Sequence, residues 1–383
     1  MAGNPGRLTR LRDALASAEL DGIVVSQPES RRYLSGYSAT DLPPRESAGY
    51  LFITDTRQYL LTDPRTSALA EAEAPAFTTV VFGAGATARD ALRQVAREAL
   101  PSARPTGPRV GFESGHLTYA VWQAFVSALD GIADLVPAPD LVDSLRVLKD
   151  DDELAALRAS IALNDAAFAH VIRNVAAGRR ERDLAWEIES YYRTHGAEDV
   201  SFDPITVSGP NTAIPHAVPS DRTIRPDELV LFDIGARLGG YCSDMTRTFC
   251  IETAPDKLRE VWSIVLDAQL EAEERVKPGM TGAEVDAVAR GVISDAGYGD
   301  EFVHGLGHGI GLEIHEPPWI SRTRGDMPLQ PGMVFSIEPG VYLPGLGGVR
   351  IEDLVVLTDR GAEVLTRSPK KLQLSEVLLD LDR

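Results

Sequence analysis

The sequence predicts an α/β amino-terminal domain over residues 1–143, followed by a larger α+β domain over residues 144–383 made of two related halves. Three observations carry that reading. Short apolar runs alternate with amphipathic helical stretches through the first third. A helix-and-strand pattern in the remainder recurs about a hundred residues later, the kind of self-similarity that fixes an architecture. Matching strands in the two copies carry acidic residues inside apolar surroundings. A chain of 383 residues is also long for one domain.

In the first domain, helical periodicity over Leu8–Leu20 leads into an apolar strand, Gly22–Val25. Strands are expected at Gly49–Ile53, Tyr59–Thr62 and Thr78–Phe82. A helix at Thr87–Leu100, a strand at Val110–Phe112, a helix at Tyr119–Leu129 and a strand at Asp134–Pro137 complete the alternation. A long charged-and-apolar helical stretch follows, interrupted by Lys149-Asp-Asp-Asp-Glu153, and the domain boundary belongs near residues 143–152.

The repeat begins at Val175-Ala-Ala-Gly178 and again at Val276-Lys-Pro-Gly279, an offset of 101 residues (175 to 276). An amphipathic helical pattern follows each copy and stops at a glycine, Gly196 and Gly297, suited to the left-handed position that ends a helix. Thr281 and Glu284 form a capping-box signature before the second helix. Apolar strand pairs come next, with Asp233 and Asp244 in the first half and Glu338 and Glu352 in the second. Each half is read as placing one acid at the end of its first strand and another in its second.

Composition bounds the function. Hydrophobic residues at 44% and charged residues at 25% describe an ordinary globular chain. The net charge of −19 repels nucleic acid and anionic membranes, so neither is an expected partner. The amino terminus shows no apolar signal-peptide core and no run of 18 apolar residues occurs, so a cytoplasmic protein is expected. Cys242 and Cys250 lie eight residues apart on what reads as one extended stretch, a separation that does not easily bridge, which fits free thiols in a reducing compartment.

Burying an unpaired carboxylate costs several kcal/mol, so apolar strands do not ordinarily carry inward acids. Any one of these four could cap a turn or meet an arginine. Four in repeat-related places favour cation binding. Seven histidines sharpen the case: His304, His308 and His315 fall in one stretch and His216 in another. Glycines alternate with Leu306, His308, Ile310 and Leu312, so a strand here would have one bare face, open to close approach by another backbone. His308 would lie on the face that bears side chains, as a fifth ligand. One imidazole and four carboxylates favour Mn²⁺, Co²⁺ or Fe²⁺ over a thiolate zinc site, with Mn²⁺ placed first and Zn²⁺ still open. Four carboxylates balance two divalent ions, which in such sites lie about 3.5–4 Å apart and activate a shared water as nucleophile.

These residues resemble the pita-bread metallopeptidases, the family of methionine aminopeptidase, prolidase, aminopeptidase P and creatinase. The pattern is Asp233 in Phe-Asp-Ile-Gly, Asp244 in Ser-Asp-Met-Thr-Arg-Thr-Phe, His308 in Gly-Leu-Gly-His-Gly-Ile-Gly, Glu338 in Ser-Ile-Glu-Pro-Gly and Glu352 in Arg-Ile-Glu-Asp. The resemblance implies a pita-bread catalytic domain behind a creatinase/prolidase-type amino-terminal domain. It implies Asp244 and Glu352 as bridging ligands, Asp233 on one metal, and His308 and Glu338 on the other, with Glu338 also the general base. His216, His304 and His315 resemble the histidine set of prolidase and aminopeptidase P, which stabilises the intermediate and assists proton transfer. Arg350, two positions before Glu352, resembles their active-site arginine.

The implied activity is hydrolysis of the Xaa-Pro bond in short proline-containing peptides. The resemblance also implies a homodimer in which an amino-terminal loop closes the neighbour's site. Residues 35–47 are the candidate loop, with Arg45 to clamp a substrate carboxylate and Asp41 to hold its amine. An arginine there leans the reading toward an Xaa-Pro dipeptidase. The alternatives are an Xaa-Pro aminopeptidase acting on longer peptides and a non-catalytic binding protein on the same fold, whose usual sign is lost metal ligands.

Overall fold

The structure is a computed structural model that describes residues 5–41, 46–83, 85–100 and 107–383. The chain divides into two compact units, Met1–Arg146 and Val147–Arg383.

The first unit runs α1 (Pro5–Ser17), β1 (Gly22–Val25), α2 (Pro28–Ser35), β2 (Tyr50–Thr54), β3 (Gln58–Thr62), α3 (Ser67–Glu73), β4 (Thr78–Val81), α4 (Ala88–Ala99), β5 (Arg109–Phe112), α5 (Tyr119–Leu129), β6 (Asp134–Pro137) and α6 (Asp143–Arg146). Its six strands form one mixed sheet in the order β4-β3-β2-β1-β5-β6. The amphipathic α4, held at its start by a Thr87–Asp90 capping box, packs Leu92 and Val95 with Phe125 of α5 against Phe52 and Val110 of the sheet. The expected strands and helices lie where the alternation placed them, within a few residues. Two short helices, α2 and α3, were not expected, and α1 begins and ends three residues earlier than the periodicity suggested.

The second unit begins with α7 (Asp151–Val171), α8 (Glu181–Thr194), β7 (Asp199–Val200), β8 (Ile205–Ser208), β9 (Leu229–Ile234), β10 (Ala236–Leu238), β11 (Tyr241–Cys242) and β12 (Met245–Cys250). It continues with α9 (Asp256–Arg275), α10 (Gly282–Asp295), β13 (Gly307–Gly309), β14 (Glu316–Ile320), β15 (Val334–Ile337), β16 (Gly340–Leu343), β17 (Gly347–Arg350), β18 (Asp353–Thr358), β19 (Gly361–Val364) and α11 (Leu374–Leu381). The Lys149–Glu153 break is the start of α7, where Asp150 and Glu153 form a capping box. No described helix is long and apolar enough to cross a membrane. Cys242 and Cys250 are both free and buried.

The repeat is visible in the strand ladder. β8-β9-β12 and β13-β15-β18 are matching antiparallel triplets, each behind two helices, and each half has its own apolar core. An offset of 103 residues carries the paired Thr206 and Phe232 onto the paired Gly309 and Phe335. Gly178 and Gly279, and Gly196 and Gly297, all take positive φ, between 88° and 96°, at equivalent turns.

Two details correct the sequence reading. Asp244 and Glu352 lie immediately before their strands β12 and β18 rather than within them. Only Gly307–Gly309 of the glycine-rich run is strand, and Ile310 onward turns away. The bare face is real: a Cβ on Gly307 would lie 2.0 Å from the Ser336 carbonyl, and one on Gly309 would lie 2.3 Å from that of Pro317. Glycine is needed there because neighbouring backbones occupy the space.

Candidate metal centre

The two strand triplets deliver Asp233 from β9, Asp244 from before β12, His308 from β13, Glu338 from just after β15 and Glu352 from before β18. All but Glu338 are buried, and Glu338 is nearly so. His308 Nε2 lies 3.2 Å from Glu338 Oε1 and 3.7 Å from Asp244 Oδ2. Asp244, His308 and Glu352 each offer a ligand atom within 4.8 Å of the others. His308 Nδ1 lies 3.0 Å from the Gly309 carbonyl, which accepts a hydrogen bond from Nδ1–H and turns Nε2 toward the carboxylates.

The surrounding polar groups orient this set. Thr246, on the same strand face as Asp244, donates to Glu352 Oε2 at 2.8 Å and accepts from Arg350 Nε at 3.0 Å. Ser336 donates to Glu338 Oε1 at 3.0 Å. The Arg350 guanidinium reaches Asp233 Oδ2 at 2.5 Å and Tyr342 Oη at 2.7 Å. On the other side of β12, Arg247 donates to the Glu352 carbonyl and, at 2.6 Å, to Asp353 Oδ1.

Among these five side chains, three carboxylate oxygens are buried without a hydrogen-bond partner: Asp233 Oδ1, Asp244 Oδ1 and Glu352 Oε1. Each such group costs free energy unless a cation meets it. Burial pushes the Asp244 carboxyl well above the usual range, and the negative Glu352 and Asp233 push it further. Burial and Glu338 do the same to Glu352. Asp233 is raised by burial against the pull of Arg350. Burial opposes ionisation of Glu338 too, but its hydrogen bond to His308 prevails and holds it down at about 2. His308 is raised in turn, since Glu338 outweighs the burial that disfavours its charge. The residues fit divalent cations: orphaned carboxylate oxygens and one oriented imidazole nitrogen converge, and positive charge would offset the burial and mutual repulsion that raise Asp233, Asp244 and Glu352.

The other histidines differ in how they are held. His304 hydrogen-bonds Tyr342 Oη through Nε2 at 2.9 Å and the Gly305 carbonyl through Nδ1 at 2.7 Å. Burial lowers it, so the ring stays neutral with both nitrogens engaged. His315 is exposed, its ring edge-on to His308 with centroids 4.2 Å apart. Burial of its ring nitrogens and the neighbouring His308 bring it down to about 4. His216 is exposed and near enough to His315 for its charge to be felt there.

Asp41 belongs to the first unit, where it pairs with the buried Arg31 at 2.7 Å and accepts from the Ala48 amide at 2.8 Å. Arg45 lies outside the described residues. Tyr342, Thr246 and Ser336 were missed by sequence reasoning. Thr246 had a readable signal, since Asp244, Thr246 and Thr248 alternate with Met245, Arg247 and Phe249 along one extended stretch. Tyr342 had none, because its link to His304 and Arg350 exists only once the β16–β17 hairpin pairs Gly340 with Arg350.

Paired strands thus gather acids and one imidazole into a group that could hold divalent metal. Residues 155–359 match Metallopeptidase family M24 and residues 7–148 match the Creatinase/Prolidase N-terminal domain. The chain belongs to metallopeptidase family M24. It is 42% identical to an Xaa-Pro dipeptidase of Pyrococcus furiosus over 67% of this chain and 74% of that protein. The structure of an Xaa-Pro dipeptidase from Bacillus anthracis is similar at a TM-score of 0.88, with 39% identity over 96% of this chain and 99% of that one. That of an X-Pro aminopeptidase from Thermotoga maritima reaches 0.85, with 32% identity over 96% and 99%.

Proposed function

We propose that this protein is a dinuclear metallopeptidase that hydrolyses the Xaa-Pro bond of short peptides, with dipeptides preferred. The observation that carries the reading is the cage itself, three orphaned buried carboxylate oxygens beside the Nε2 of His308, which faces Glu338 and Asp244. The names of the similar proteins supply the substrate class. Asp244 and Glu352 would be shared by two divalent ions, Mn²⁺ first among the candidates, with Asp233 on one ion and His308 and Glu338 on the other. Bound there, the ions supply Lewis-acid polarisation of the scissile carbonyl and acidify water.

The chain's own residues do the rest. Glu338, fixed by Ser336 and His308, receives the proton of the attacking water as general base. The nitrogen that precedes proline carries no hydrogen and must be protonated to leave. His216, exposed, donates that proton, and His315, whose ring stays neutral, steadies the oxyanion through a hydrogen bond. His304, locked by Tyr342 and Gly305, forms a wall. Arg350 pairs with Asp233 and holds it in place.

The preference for dipeptides rests on Arg45 as a clamp for the free carboxylate in a homodimer, where one subunit's loop reaches its neighbour. Asp41 is the weaker half of that idea, because it already neutralises Arg31. A cytoplasmic setting fits two buried free thiols.

Turnover of Ala-Pro against a series of longer Ala-Pro peptides, with metal-loaded protein, tests the reading. The dipeptide should be cleaved best, and Arg45→Ala should selectively damage it. Preference for longer peptides would assign an aminopeptidase. No cleavage despite bound metal would overturn the proposal in favour of a binding protein.

A further inference from the structure

The histidine proposed to protonate the leaving group is held indirectly. His216 sits in the segment 208–220 between β8 and β9 and is exposed, and its imidazole makes no hydrogen bond among the described residues. Its flanks are exposed too, Ile214 at 55% and Val218 at 82%. Its place must therefore come from the backbone that carries it.

Both ends of that segment converge on one carboxylate. Glu181, the first residue of α8 and 1% exposed, accepts from the Ser208 amide at 2.8 Å and the Ser208 hydroxyl at 3.0 Å through Oε1. Through Oε2 it accepts from the Ser220 amide at 3.1 Å and the Ser220 hydroxyl at 2.7 Å. Asn211 Nδ2 lies 3.1 Å from each oxygen. The backbone joins in: the Glu181 amide donates to the Arg222 carbonyl and the Arg182 amide to that of Ser220. The middle of the segment is tied to the active-site arginine, with the Pro215 carbonyl 3.3 Å from Arg350 Nη1.

A carboxylate is acceptor-only, and this one is met by donors alone, at the positive end of a helix. Charge-assisted bonds of this kind are about twice as strong as neutral ones. Two of the donors are backbone amides that cannot rotate away. Such a hub fixes the spacing of the ends of the segment and leaves His216 few ways to move.

We infer that Glu181 is a positioning residue for the reaction, acting through His216 by clamping both ends of the segment that carries it. This rests on the proposed role of His216 in Xaa-Pro cleavage. Glu181 touches none of the metal ligands, so its removal should leave the metal content unchanged. Glu181→Gln keeps the size but sets an amide donor against donors. A misplacement of about 1 Å costs on the order of 10²-fold in rate, so kcat should fall by roughly 10- to 100-fold with KM little moved.

The deciding experiment is a double-mutant cycle with His216→Ala on metal-loaded protein, reading kcat and KM on Ala-Pro, metal content and thermal midpoint. Ser220→Ala, which removes one hydroxyl donor and leaves the backbone amide, serves as a gentler second variant should Glu181→Gln fold poorly. The expected result is that each change lowers kcat in the parent and adds less than about twofold once His216 is gone. Full additivity in the His216→Ala background would overturn the inference, since Glu181 would then act on general stability. If His216→Ala alone leaves kcat intact, the proposed role of His216 fails first and the inference falls with it.

Discussion

The two halves of the catalytic unit share a scaffold and divide the chemistry unequally. With the ladders superposed at an offset of 103 residues, Ile205 stands where His308 stands and Asp233 where Ser336 stands. In the first half the candidate ligand is on β9 and faces an apolar partner across the ladder. In the second it is on β13, and the residue across from it, Ser336, accepts a hydrogen bond from the His308 amide at 3.1 Å. Glu338 lies one residue beyond the end of β15, level with Gly235 in the first half. Only Asp244 and Glu352 are strictly matched, each just before the first paired residue of its strand. Duplication accounts for the matched acids, and divergence within the triplets would make the two proposed metal positions chemically different.

That division can be broken by substitution. Asp244→Asn and Glu352→Gln should have the largest effects and similar ones, each abolishing turnover and releasing both ions. A variant of either that kept a full complement by elemental analysis would show that the two positions are not equivalent. Asp233→Ala and His308→Ala should be milder in metal content, each retaining one ion per chain, because each removes a ligand from only one position.

Smaller changes sharpen the comparison. Thr246→Val removes a hydroxyl of the first half that orients an acid of the second. Loss of such an outer partner costs about 10- to 100-fold in metal affinity, which metal titration would register. Ser336→Ala, which acts within one half, should weaken binding without touching Glu352.

The smallest effect concerns the first helix of each half, which holds the carboxy-terminal segment through an acid. Asp165 of α7 accepts from Ser368, and Glu273 of α9 meets Lys370, which also pairs with Asp353. Burial and the neighbouring Asp353 lift Glu273 to about 7 despite Lys370. An acid whose folded pKa is raised binds its proton more tightly in the fold, so it favours the folded state below about 4.5 and opposes it increasingly up to about 7. Glu273→Gln should flatten that decline and raise stability above pH 7, by no more than about 3 kcal/mol. Denaturant melts at pH 5 and pH 8 would check it, and an unchanged pH dependence would remove Glu273 as its source.

Much of this was legible in the sequence because strand burial makes acids conspicuous. Asp233, Asp244, Glu338 and Glu352 stand out in apolar runs, and alternating glycines announced the close backbone approach at β13. The helix α2 was not expected despite Pro28 at its start, because eight residues rich in arginine and serine show little apolar periodicity. What could not be read is long-range hydrogen bonding. Glu181 looks like an ordinary first-turn helix acid until Ser208 and Ser220 fold onto it, and Tyr342 gains its partners only through the hairpin.

The most direct measurement is a titration of the metal-depleted protein with Mn²⁺, following bound metal and Ala-Pro turnover together. The proposed function predicts two ions bound per chain, turnover rising only as the shared site fills, and neither binding nor turnover in an Asp244→Asn/Glu352→Gln double variant. Full turnover in the metal-depleted protein, or two ions still bound in that double variant, would contradict it.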